Sequence, residues 1–294
     1  MGHGLAQIFA GGGYDVALLD LSPELLEKAL VNVRANLRLM AEKGIGSETD
    51  IEPIVARIKT TTDMKEAVQG AGFIIEAVVE KLDVKQKLFK ELDAICPPDV
   101  ILATNTSVIS ITEIASQAQN RSRIVGTHFW NPPYLIPLVE VIRGDDTDPA
   151  VMDATYDLMA KVGKKPVKVM KDVPGFVGNR LQHALWREAI SIVEHGIADA
   201  ATVDDVVKNS FGLRLPVLGP LENADLVGLD LTWQIHDYIL KYIEASPNPS
   251  PLLKEKMDAG DLGFKTGRGL QEWPEERMQN LRKRLQEHLL ASLK

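Results

Sequence analysis

The sequence predicts an α/β protein: a doubly wound parallel sheet that lacks its first strand, followed by an all-α domain. Three observations carry this. Between residues 16 and 142, short apolar runs of strand length alternate with stretches of helical period. Beyond Asp172-Val173-Pro174-Gly175 the strand signals fade, and helical periods dominate over 177–193, 202–211 and 224–243. At the start, Met1-Gly2-His3-Gly4-Leu5-Ala6 reads as the end of a glycine-rich strand-to-helix turn. The apolar strand and the first two glycines of that turn are absent from the sequence. The expected boundaries are 1–172 for the sheet domain and 173–294 for the helical domain.

The elements follow in order. Leu5, Ile8 and Phe9 give a short amphipathic helix, ended by Gly11-Gly12-Gly13. Residues 16–19 form an apolar strand closed by Asp20. Ser22-Pro23 is an N-cap and N1 pair. It opens a long helix with Leu25, Leu26, Ala29, Leu30, Val33 and Leu37 on one face. Gly44 and Gly46 break that helix, and Ser47 can cap a short one. Strands are expected at 58–60, 73–79, 100–103 and 124–127; the second of these is wholly apolar except for Glu76. Residues 84–95 form an amphipathic helix with Leu88, Leu92 and Ile95 on one face. A last helix carries Met278, Leu281, Leu285, Leu289 and Leu293 on one side.

Composition narrows the function. With 294 residues, about two domains are expected at roughly 150 residues each. A net charge of −8 argues against nucleic acid as a partner. One cysteine, Cys96, can form no internal disulfide and suits a reducing, cytoplasmic setting. No apolar run reaches membrane-spanning length, and no metal site is expected. These features fit an enzyme acting on a small molecule.

The glycine turn and Asp20 point to a dinucleotide. An acidic residue closing the second strand, roughly 20 residues after the glycines, accepts hydrogen bonds from an adenosine ribose. Leu21 and Ser22 follow Asp20 rather than an arginine, which favours NAD over NADP. The chemistry should sit at strand ends, where open α/β sheets bind ligands. Asn105-Thr106-Ser107 follows one strand, His128-Phe129-Trp130-Asn131 follows the next, and Glu140 lies in the apolar run 138–142. A hydroxyl, an imidazole and a carboxylate gathered there could form a proton-transfer set.

These stretches together resemble the NAD-dependent 3-hydroxyacyl-CoA dehydrogenase family over nearly the whole chain. The match rests on Met1-Gly2-His3-Gly4, residues 103–107, residues 128–132, residues 138–141, Asp172 to Arg180, Gly219 to Glu222 and Lys265 to Gly267. The resemblance implies a fold, a cofactor and roles. NAD is the cofactor, and fatty acid metabolism the setting. His128 is implied as the base, paired with Glu140. Ser107 and Asn179 are implied to hydrogen-bond the substrate oxygen. Gly2, Asp20, Glu80, Lys85, Asn105, Ser107, Asn131 and Lys265 are implied as cofactor contacts, and the protein as a homodimer joined through its helical domain.

Two segments depart from that pattern. After the histidine the family usually carries Asn-Pro-Val-Pro-Val-Met; here Pro133-Tyr134-Leu135-Ile136-Pro137 follows Asn131-Pro132, and resembles instead the branch of carnitine and gulonate dehydrogenases and lambda-crystallin. Its substrates are not thioesters. The usual aromatic end is replaced by Gly269-Leu270-Gln271-Glu272-Trp273. A scaffold without activity, like the crystallin, is a further reading; the joint presence of Ser107, His128, Glu140 and Asn179 argues against it. The absent first strand adds one expectation. Strands 16–19 and 73–79 should flank a gap, with marginal stability and poor NAD binding as the result.

Overall fold

The computed structural model describes residues 1–293, which divide into two compact units. One comprises Met1–Asn179 together with residues from Leu285 onward; the other is Arg180–Arg284.

The first unit is α/β. Its elements run α1 (Gly2–Gly11), β1 (Val16–Leu19), α2 (Pro23–Glu42), α3 (Ile51–Ala56), β2 (Ile58–Thr61), α4 (Met64–Val68) and β3 (Phe73–Glu76). Then come α5 (Leu82–Ile95), β4 (Ile101–Thr104), α6 (Ile111–Ala115), β5 (Ile124–Phe129), β6 (Leu138–Ile142), α7 (Pro149–Lys161) and β7 (Lys165–Val169). The Ser22 hydroxyl caps α2 by accepting from Leu25 N–H, with Pro23 in the first turn. Ser47 caps a single 3-10 turn, Glu48–Asp50.

The strands form two sheets. β1 and β2 pair in parallel, and β3-β4-β5-β6-β7 form the larger sheet. So β1 and β3 each carry one unpaired edge. Their burial reflects this: β5 is buried along its whole length, whereas no residue of β1 is fully buried and in β3 only Glu76 is. α1 serves both sheets. Leu5 and Ile8 pack into the cluster with Ala103, Val125 and Val139, while Ala6 and Ala10 pack with Val33, Ile51 and Ile58.

Alternation along the strands divides the core of the larger sheet into two layers. Leu102 and Ile124 face Phe89 of α5 and Ile111 of α6. Their neighbours Ala103 and Val125 face α1 and Met152 and Met159 of α7. Helices therefore cover both faces, as a doubly wound sheet requires.

Several details of this unit differ from the sequence reading. The strand expected at 73–79 ends at Glu76, because the Glu76 carboxylate accepts from Val78 N–H (2.6 Å) and turns the chain. β5 extends through His128 to Phe129, so the histidine stands within the strand rather than after it. And β6 runs antiparallel to β5, whereas all other pairings are parallel.

α8 (Gly178–Glu194) begins at the end of the first unit. The second unit continues with α9 (Ala200–Lys208), α10 (Pro220–Val227), α11 (Leu229–Ile239), α12 (Pro251–Asp258) and most of α13 (Glu275–Ala291). It holds no sheet strand among the described residues. The single helix expected over 224–243 is two, because Gly228 adopts φ +103°, outside the helical range. On α13, Met278 and Leu290 are buried, but Leu281 and Leu285 of the expected face are exposed. No helix of the described residues is long and apolar enough to cross a membrane.

Candidate active site

The antiparallel β5–β6 register sets the centre of the site. His128 pairs directly with Glu140 across the two strands, so both side chains stand on one face as neighbours. His128 Nδ1 lies 2.7 Å from Glu140 Oε2, and both residues are buried. The other carboxylate oxygen accepts from the Val177 and Gly178 N–H groups, each at 3.0 Å. Burial opposes ionisation of Glu140. The hydrogen bond with His128, the two N–H groups and the nearby imidazole outweigh it and hold the carboxyl below its usual range. An ionised Glu140 accepts, so Nδ1 carries the proton and donates, which leaves Nε2 as the free, basic nitrogen.

The turn that supplies those N–H groups is strained. Phe176 has φ +51°, the only non-glycine in the left-handed region among the described residues, and it is buried against His128 at 5.8 Å between ring centroids. Trp130 flanks the imidazole at 5.3 Å. A Cβ on Gly178 would meet Trp130 at 2.4 Å, so that glycine is what lets α8 begin against the ring.

A second network builds the Ser107 turn after β4. Glu80 accepts from the Thr106 hydroxyl (2.6 Å), Ser107 N–H (2.8 Å) and Val108 N–H (3.1 Å). Burial opposes its charge, but these donors and Lys85 hold its carboxyl below the usual range. Asn179 Nδ2 donates to the Ser107 carbonyl at 2.8 Å. With its main chain held from both sides, Ser107 offers a hydroxyl with no protein partner among the described residues. Asn105 Oδ1 accepts from Phe129 N–H (3.0 Å) and ties this turn to the end of β5.

The remaining residues singled out in the sequence fall in several places. Lys85 is 1% exposed, with its ammonium 2.7 Å from Glu76 and 3.3 Å from Glu80, beneath the Ser107 turn. Asp20 is exposed just past β1; one carboxylate oxygen accepts from Leu21 N–H. Gly2 opens α1, whose N-terminus has no side-chain cap and no acidic residue in its first turn. Asn131 is exposed beside Pro132. Lys265 is exposed in the second unit.

These features fit a dinucleotide. The uncapped helix N-terminus offers N–H donors and a positive dipole end to phosphate. Asp20 has carboxylate capacity left for a ribose. Sequence reasoning missed the Glu76–Lys85 pair and the Phe176 turn. The signal for the first was Glu76 itself, an ionisable residue in an apolar run. The second had no local signal beyond Gly175.

Comparison with known proteins identifies the family. The family model described as 3-hydroxyacyl-CoA dehydrogenase, NAD binding domain, matches residues 1–173, and that of the C-terminal domain matches 175–273. A probable 3-hydroxybutyryl-CoA dehydrogenase of Bacillus subtilis is 39% identical over 94% of this chain and 95% of its own length. The crystal structure of an NAD-dependent 5-formyl-3-hydroxy-2-methylpyridine 4-carboxylic acid 5-dehydrogenase superposes with a TM-score of 0.90. It is 33% identical, over 99% of this chain and 94% of that one. The (S)-3-hydroxybutyryl-CoA dehydrogenase of Ralstonia eutropha gives 0.78 at 36% identity, over 94% and 96%. The chain is an NAD-dependent oxidoreductase and belongs to the 3-hydroxyacyl-CoA dehydrogenase family.

Proposed function

We propose that the chain interconverts the 3-hydroxyl and 3-keto forms of a 3-hydroxyacyl-CoA, with the His128–Glu140 pair handling the proton. The observation that carries this is a buried imidazole whose Nδ1 is held by a carboxylate at 2.7 Å, which leaves Nε2 free. NAD, when bound, would supply the acceptor for the hydride that leaves the carbinol carbon. His128 Nε2 takes the hydroxyl proton, and Glu140 stabilises the imidazolium that forms. The Ser107 hydroxyl and the second hydrogen of the Asn179 amide are the donors for the oxygen as it becomes a carbonyl. For the cofactor, the N-terminus of α1 at Gly2 would hold phosphate and Asp20 the adenosine ribose. Asn105, Asn131, Glu80 and Lys85 would be further contacts or supports for the cofactor.

A second reading has its own support. The segment Pro133 to Pro137 departs from the acyl-CoA pattern, and the TM-score is higher with a dehydrogenase named for a pyridine carboxylate than with the hydroxybutyryl-CoA enzyme. A free hydroxy acid is therefore the alternative substrate. A panel of 3-hydroxybutyryl-CoA, carnitine and gulonate with NAD separates the two. Fast turnover of the thioester alone supports the first reading; turnover of a free acid with an inert thioester overturns it.

The reading extends to a cytoplasmic homodimer. α10 and α11 contain no buried residue and expose Leu221, Leu226, Leu229, Trp233 and Tyr238. A solvated monomer rarely leaves so much apolar surface uncovered. Sedimentation equilibrium tests this, and a monomer at micromolar concentration would refute it.

A further inference from the structure

Between the two strands of the His128–Glu140 pair runs a six-residue strap, Pro132 to Pro137, with three prolines. Proline has no N–H, so half of the strap's residues can donate nothing to hold it together. Pro132 O accepts from both Leu135 and Ile136 N–H at 3.0 Å, and Pro137 O accepts from Lys165 N–H at 2.9 Å. The Pro133 and Ile136 carbonyls lie between these points, and one side chain takes both. Lys164 Nζ donates to Pro133 O and, at 3.0 Å, to Ile136 O.

The setting of this ammonium is unusual. No carboxylate of the described residues lies within ion-pair distance of it. Burial alone pulls its pKa down from 10.5 to about 8. An unpaired, largely desolvated cation is unfavourable unless its hydrogen bonds do something the fold needs. Its backbone is fixed as well. Gly163 at φ +80° ends α7 with its N–H on Ala160 O, and Lys164 N–H bonds Met159 O, a Schellman end. Lys164 thus reaches the strap from a rigid point.

The strap also lies where a substrate would be met. It leaves the carboxyl end of β5, next to the Ser107 turn that Asn105 ties to Phe129. Pro133 packs so closely on α1 that a Cβ on Gly4 would come within 2.5 Å of its ring. Leu135 is buried, and Tyr134 packs half-buried against the cluster containing Val139 and Phe129. This is the segment whose sequence departs from the acyl-CoA pattern.

We propose that Lys164 is a positioning residue for substrate specificity: its ammonium holds the strap in the one conformation that fits the substrate beside the His128–Glu140 pair. The inference rests on the assignment of that pair. The pair itself does not depend on Lys164, because the β5–β6 register and the Val177 and Gly178 N–H groups fix it. The effect should therefore fall on substrate recognition rather than on proton transfer.

The test compares Lys164→Met and Lys164→Arg with the unsubstituted protein, using its best substrate from the panel above. Hydrogen exchange is followed at the Leu135 and Ile136 amides. Lys164→Met should raise the substrate KM by about tenfold or more while kcat changes less than about threefold, the pattern of binding lost equally from ground and transition states. Exchange at the two amides should speed up by about tenfold, a readout that needs no activity. Lys164→Arg, which keeps charge and donors, should recover most of the loss. Unchanged KM and exchange in Lys164→Met would overturn the proposal, as would a loss confined to kcat. A His128→Gln variant that stays active would refute the pair itself, whatever Lys164 does.

Discussion

Replacing Glu140 by glutamine removes one charge and almost no volume. In the structure the carboxylate holds three groups: His128 Nδ1 at 2.7 Å and the N–H groups of Val177 and Gly178 at 3.0 Å. The amide oxygen can still accept from the two backbone donors. Its NH2 group then faces Nδ1, which must become an acceptor, and the ring proton moves to Nε2. The nitrogen proposed to take the substrate proton is then already protonated. Where such a pair works as a proton relay, an amide in place of the carboxylate lowers kcat by about 10⁴-fold. At 1.36 kcal/mol per tenfold, that is about 5 kcal/mol of barrier. The stability loss should be smaller. Hydrogen bonds to a charged group contribute roughly 1 kcal/mol more than neutral ones, so three of them lose about 3 kcal/mol. A domain with about 5–15 kcal/mol of stability survives that. The assay is NADH formation under saturating substrate, beside a thermal melt of the same sample. A folded Glu140→Gln protein within tenfold of normal kcat would refute the reasoning.

Other expectations follow from the same structure. The Glu140 carboxyl is held below its usual range, so its stabilising contribution is complete above its unfolded pKa and disappears as pH falls through the lower folded value; acid titration should show Glu140→Gln losing this component of the pH dependence. Arg123 is buried, with Nη2 2.8 Å from Asp93, which itself caps Gln119 and Asn120 N–H; Arg123→Met should destabilise by about 3–5 kcal/mol in denaturant melts. Gly4→Val should destabilise by about 1–3 kcal/mol because its Cβ would overlap the Pro133 ring. Backbone amides of β1 and β3, whose outer edges are unpaired, should exchange faster than those of the fully buried β5; equal protection would contradict the split sheet.

Strong local patterns made much of the fold legible. Ser22-Pro23 and the face from Leu25 to Leu37 marked α2, and Leu88, Leu92 and Ile95 marked α5. The broken glycine turn pointed to the split between β1 and β3. Long-range pairing was harder to read. Nothing near Leu138 says that β6 runs antiparallel to β5, and that reversal is what sets Glu140 opposite His128. β7 was missed because Lys165, Pro166 and Lys168 mask its period; it is an edge strand with only Val169 fully buried. Residues 224–243 read as one helix because backbone sign at Gly228 is invisible in an apolar period. Residue types pointed to Ser107, His128 and Glu140, and the family resemblance to Asn179. Their supports, Glu76, Phe176 and Lys164, act through contacts from distant parts of the chain, so no spacing rule exposes them.

We propose that His128 moves the substrate proton, held in its working tautomer by Glu140. Single-turnover hydride transfer to NAD in His128→Gln, beside the NADH dissociation constant of the same protein, tests it most directly. The transfer rate should fall by about 10²–10⁴-fold with NADH affinity unchanged. Transfer within tenfold of the unsubstituted rate would contradict it.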